Sequence, residues 1–245
     1  MNAYMAFIFS FLAGLSTMIG SFVIFFSRRR TLNFLICSIS FAAGVMFFLS
    51  IFDLIPEGLL FFSNDFNGIF GILLCLCFVS FGICISIVID KFFSNSFDDN
   101  LYKIGIITMI CLIIHNIPEG IVTFITTNHD VKLGISTSIA ISMHNIPEGI
   151  SVSLPIYYYT KSKFKAFLYT FICAISEPFG AFIAYVFLKP SSFTLGVIFS
   201  IIGGIMIYIS MYELFPSVIK YKRYIIVYTF YILGFILVLI NHFLF

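Results

Sequence analysis

Charge is scarce in this chain of 245 residues: Asp, Glu, Lys and Arg together make up 10% of it. An average soluble protein has about 25%. Hydrophobic residues make up 61%, and the mean hydropathy is +1.12. A monomeric soluble fold cannot hide that much apolar surface, because surface shrinks too slowly with chain size. The interior must continue into lipid. The net charge of +2 is too small for a polyanionic partner, so nucleic acid is excluded. The six cysteines sit in apolar runs without a CxxC (Cys75 and Cys77 are two apart), and they read as small apolar fillers rather than a disulfide framework. No Walker motif is present. Alternating polarity is missing too: Ile104 to Ile114 is apolar apart from Gly105 and Thr108, which excludes an outer-membrane barrel.

What is present is a series of long apolar runs. A helix needs about 20 apolar residues to cross the hydrocarbon core. Charged and turn residues divide the chain into eight such runs, about 3–27, 33–58, 69–93, 101–126, 132–158, 164–188, 194–219 and 224–245. The expectation is an all-α polytopic membrane protein of eight transmembrane helices, with residues 1–245 forming a single transmembrane transport domain. The longest polar stretch, about Ser94 to Lys103, is too short to be a domain.

Lys and Arg are distributed unevenly. Alternate loops contain Arg28, Arg29, Arg30, Lys91, Lys103, Lys161, Lys163, Lys165, Lys220, Lys222 and Arg223, whereas the other side has only Lys132 and Lys189. The positive side is expected to face the cytoplasm. Both termini are then extracytoplasmic. The plasma membrane is the expected location, with an organelle membrane as the alternative.

Two repeats stand out. SFAAGVMFFLSIFDLIPE at 40–57 returns as SIIGGIMIYISMYELFPS at 200–217, with Asp53 matching Glu213 and Pro56 matching Pro216. In the expected topology the two copies cross in opposite directions, the inverted pseudo-repeat typical of alternating-access transporters. The second repeat is HNIPEGI, at 115–121 and again at 144–150. It falls near the middle of two consecutive, antiparallel spans.

A carboxylate at lipid depth is tolerated only beside a cavity, a partner or an ion. Glu119, Glu148 and Glu177 all fall deep within spans, and the cationic side chains cluster near the loops. Either these acids are protonated or a cation visits them. His115 and Glu119 are i, i+4 and share a helix face, with Asn116 close by; His144, Asn145 and Glu148 repeat the pattern. Such an N/O donor set without thiolate suits zinc and iron, and also manganese. Glu177 adds a third carboxylate, and bridging carboxylates would allow two metals side by side. Pro118 and Pro147 free the carbonyls of Ile114 and Met143. Kinked, discontinuous helices are expected there.

Other readings of the same residues are structural glue between helices or a proton relay. Asp53 and Glu213 lie near span ends, where exposed carboxylates are cheap, or else along a metal path. Glu57 is a helix-end charge that can gather cations at a mouth. Asp65, His129 and Asp130 read as loop residues, and His242 as a helix-end residue.

HNIPEG in the fourth and fifth spans, with the Glu of SEPFG in the sixth, resembles the ZIP family of metal transporters (Zrt-, Irt-like proteins), in its ZupT-like and GufA-like branches. The FAAGVMFFLS…LIPE and GGIMIYIS…ELFP stretches share that resemblance, which covers essentially the whole chain. It implies a 3+2+3 arrangement of eight spans and passage of divalent metal, zinc foremost and also iron or manganese, into the cytoplasm. It implies one metal among His115, Glu119, His144 and Glu148. A second would sit among Asn116, Glu119, Asn145, Glu148 and Glu177, and Asp53 and Glu213 would lie along the route. The metal is cargo; no cofactor and no enzymatic activity are expected. A homodimer is compatible with the resemblance, but no residue here specifies it. Two readings of another kind stay open. One is a membrane-embedded zinc metalloenzyme, although HNIPE has Glu where HExxH has its second His. The other is a proton-coupled transporter of a non-metal solute.

Overall fold

The structure is a computed structural model that describes residues 2–26, 31–94, 100–187 and 191–244. Arg28, Arg29, Arg30 and Lys189, used above for orientation, lie outside the described residues, as do Asp98 and Asp99 of the polar stretch and the side chain of His242.

Every described element is a helix. In order they are α1 (Ala3–Ser21), α2 (Val23–Phe26), α3 (Leu32–Leu49), α4 (Ile55–Asp65), α5 (Gly68–Ser94), α6 (Asn100–His129), α7 (Val131–Thr160), α8 (Lys163–Phe187), α9 (Ser192–Tyr208), α10 (Phe215–Ile219) and α11 (Tyr224–Leu244). Two π-helical segments, Ser50–Leu54 and Ile209–Leu214, join α3 to α4 and α9 to α10.

Among the described residues, six stretches are long and apolar enough to cross a membrane: Ala3–Ser21, Leu32–Asp65, Gly68–Phe92, Leu101–His129, Lys163–Phe187 and Ser192–Ile219. The chain is an all-α polytopic membrane protein. The apolar part of α11, Tyr224–Ile240, is shorter. At 30 residues α7 is long enough but less apolar, for a physical reason. Its Ser138, His144, Asn145, Glu148, Ser151 and Ser153 are all buried, so its polarity is spent inside the protein. The outside is the reverse: Ile69, Phe92, Phe164 and Ile225 are exposed. Apolar surface around a polar interior is the pattern lipid selects.

The helices form two bundles. In one, α1 packs on α7 and α8, and α6 packs on α7 and α8. In the other, α3 packs on α11, and α9 packs on α4 and α5. They meet along a seam where α3 touches α7 and α6 touches α5 and α9.

Two glycines of the repeated motif set the close approaches in the first bundle. A Cβ on Gly120 would overlap the carbonyl oxygen of Glu177, and one on Gly180 that of Ile117, so α6 and α8 meet backbone to backbone. Gly149 stands in the same way against the Thr17 carbonyl, and Gly20 against that of Ile146, seating α7 on α1.

The discontinuous helices expected at Pro118 and Pro147 are not found: α6 and α7 run unbroken through both prolines. Each proline removes only one internal hydrogen bond. The adjacent glycine contact holds the helix against its neighbour at that level. The backbone departs from α geometry elsewhere, at the 40–57 and 200–217 repeat. The N–H of Ile55 bonds to the Ser50 carbonyl, and the N–H of Phe215 to that of Ser210, five residues back in each case. Pro56 and Pro216 follow at once, and the widened turn gives each ring room against the carbonyl four residues before it.

Candidate metal site

The two HNIPEG copies meet. On α6, His115 Nε2 lies 3.1 Å from Glu119 Oε1, the i, i+4 pairing that helix geometry dictates. The same nitrogen lies 3.1 Å from Glu148 Oε1 on α7. In return, His144 Nε2 of α7 lies 2.8 Å from Glu119 Oε1. Each imidazole therefore faces the other copy's carboxylate. One ligand atom each from His115, Glu119 and Glu148 fall within 4.8 Å of one another, all buried.

The asparagines anchor the motif from behind. Asn116 Nδ2 donates to the Cys173 carbonyl of α8 (3.2 Å). Asn145 Nδ2 donates to the Ala13 carbonyl of α1 (3.0 Å) and to Glu177 Oε2 (2.8 Å). With each amide nitrogen turned to a carbonyl, the amide oxygen points the other way. Asn116 Oδ1, Asn145 Oδ1, Glu119 Oε2, Glu148 Oε2 and Glu177 Oε1 are buried with no hydrogen-bond donor among the described residues. A buried acceptor without a donor costs about 1–3 kcal/mol, more when charged. His115, Glu119 and Glu148 are the group among the described residues whose ligand atoms lie close enough together to hold a divalent cation.

A cavity of about 760 Å³ leads to this cluster between the bundles. Asp53, Glu57, Thr126 and Leu133 are among its lining residues, as are Glu119 and His144. Asp53 is partly buried and Glu57 exposed. Glu213, in contrast, is not on the cavity. It is buried on the far side of the seam, beside Asp90 and Lys103, not exposed at a span end as its position in the sequence suggested.

Three residues of that far-side cluster escaped sequence reading. Lys103, grouped above with loop cations, lies in the first turn of α6 and pairs with Asp90 of α5 at 2.7 Å. Tyr208 of α9 donates to the other Asp90 oxygen at 3.0 Å. The available signal was Asp90 itself, an acid inside an apolar run. Asp130, between α6 and α7, caps the second of these helices by accepting from the backbone N–H of Lys132 and Leu133.

A family model described as "ZIP Zinc transporter" matches residues 98–242. The chain is 37% identical over 259 residues to the zinc transporter ZupT of Clostridium perfringens, covering 91% of this chain and 90% of that protein. It is 39% identical over 246 residues to the zinc transporter ZupT of Oceanobacillus iheyensis, covering 91% of each. The likeness to the zinc transporter ZupT of Streptococcus mutans is 37% over 239 residues, 91% of this chain and 90% of that one. By its motif pair and these likenesses, the chain belongs to the ZIP family, in its ZupT-like branch.

Proposed function

We propose that this protein carries divalent metal cations across a membrane into the cytoplasm, with zinc as the principal cargo. The observation that carries the reading is the convergence of His115, Glu119 and Glu148, with Glu119 on the cavity wall. Zinc is favoured because the similar ZupT proteins are named zinc transporters. The oxygen-rich remainder, Asn116, Asn145 and Glu177, leaves room for iron or manganese.

Charge balance explains why this donor set suits transport. Glu119 and Glu148 neutralise one bound dication at lipid depth, and Glu177 offsets part of the charge of a second. In this reading Asp53 and Glu57 collect cations at the mouth. The ion sheds water against Glu119 and His144, then settles among His115, Glu119, His144 and Glu148. A second ion occupies Asn116, Asn145 and Glu177, with Glu119 and Glu148 bridging.

The architecture we assign is eight spans in a 3+2+3 order, with both termini extracytoplasmic. Paired features support it. The motif glycine of α6 meets α8 where that of α7 meets α1, and the π-turn at Ser50–Leu54 is matched at Ile209–Leu214. Relative movement of the two bundles then exposes the site to one side and afterwards to the other. Family membership favours transport over the metalloenzyme reading.

Purified protein in sealed vesicles tests this. Zn²⁺ uptake that Fe²⁺, Mn²⁺ and Cd²⁺ compete for to different degrees is the expected result. Vesicles that take up none of these metals would overturn the proposal.

A further inference from the structure

The seam between the bundles is asymmetric. On one face the cavity separates α4 from α6 and α7. On the other, polar ties cross it. Lys103 Nζ of α6 meets Asp90 Oδ1 of α5 at 2.7 Å. Tyr158 of α7 donates its hydroxyl to the Thr31 carbonyl, just ahead of α3, at 3.0 Å. Lys103 precedes Glu119 by sixteen residues, about 24 Å along the helix, on the side away from Thr126 at the cavity.

We propose that the Lys103–Asp90 pair is a latch that closes the seam on the face opposite the cavity and must part before cargo leaves there. The proposal rests on the transport reading above. Tyr208 is a positioning residue: its hydroxyl holds the second Asp90 oxygen and fixes the carboxylate toward α6. The pair has the strength such a device needs. Its side chains are 20% and 24% exposed, so water competes for both ends and the tie is reversible. A fully buried pair would be too costly to break in every cycle.

The chain supplies its own reporter. The Cys111 thiol is fully buried beside Asp90, Glu213 and Ser86. With the full chain in lipid nanodiscs, a charged maleimide that cannot enter lipid reads how often this face opens, by peptide-resolved mass spectrometry. Lys103→Met keeps the aliphatic stem and Asp90→Asn keeps the shape. Each is expected to speed Cys111 labelling roughly two- to fivefold, the range over which one partly exposed ion pair shifts a two-state balance. The double variant should do no more than either alone, because both remove one interaction. Tyr208→Phe should give a smaller rise in the same direction. Labelling unchanged in both single variants would overturn the latch, as would rises that multiply in the double. Wild-type vesicles that fail to take up zinc would count against the transport reading instead, since labelling reads the seam without any metal.

Discussion

His115 addresses two carboxylates at once: its Nε2 lies 3.1 Å from Glu119 on its own helix and 3.1 Å from Glu148 on the next. Glu119 in turn is met by both His115 and His144. Glu119 is therefore the carboxylate that both imidazoles share. Glu119→Gln keeps its size and removes its charge. Zinc uptake should fall by at least about 10- to 100-fold, the scale on which even outer-shell changes weaken metal sites. Vesicle uptake checks this, with a gel-filtration profile to confirm that the variant is folded.

Asn145 joins three helices through one amide nitrogen. Asn145→Ala takes the donor from Glu177 Oε2, whereas the Ala13 carbonyl keeps the Ser16 hydroxyl at 2.6 Å. The expected loss is about 1–3 kcal/mol for an unsatisfied buried group. It should appear as a lowered thermal midpoint in detergent without metal, together with weaker zinc binding by calorimetry.

The glycine contacts make a contrast within one molecule. Gly120→Ala and Gly149→Ala drive a methyl into a backbone carbonyl, whereas Gly68→Ala meets nothing within 4 Å. Overpacking of this kind costs about 1–3 kcal/mol, occasionally more. Thermal melting should separate the first two variants from the third, which should match the wild type.

Asp53 and Glu57 line the cavity without joining the convergent cluster. Neutralising both with Asn and Gln should raise the half-saturating zinc concentration several-fold, up to about tenfold from lost electrostatic focusing, and leave the maximal rate nearly intact. The difference should shrink at high salt. Initial uptake rates across a zinc titration at two ionic strengths check it.

The meeting of His115, Glu119, His144 and Glu148 was legible because both copies of the motif obey helix spacing and sit in consecutive spans. Apolar runs exposed most of the spans for the same reason: lipid depth demands uninterrupted hydrophobicity. The far-side cluster was not legible. Asp90, Lys103 and Tyr208 come from three helices, and nothing in local periodicity brings them together. The π-turns were hidden as well. Pro56 and Pro216 announce a disturbed helix, but whether the chain breaks, bends or widens depends on what packs around it. At Pro118 and Pro147 the same signal was followed by unbroken helix.

The wide turn at Ser50–Leu54 has a consequence for the direction of the side chains after it. It holds one residue more than an α-turn would, so deleting a residue there swings every later side chain of that helix about 100° around the axis. Glu57 would leave the cavity wall in a single step. The counterpart at Ile209–Leu214 has its carboxylate and its proline at matching places. Deleting a residue there would turn Ser217 and Val218 away from their buried places in the same way.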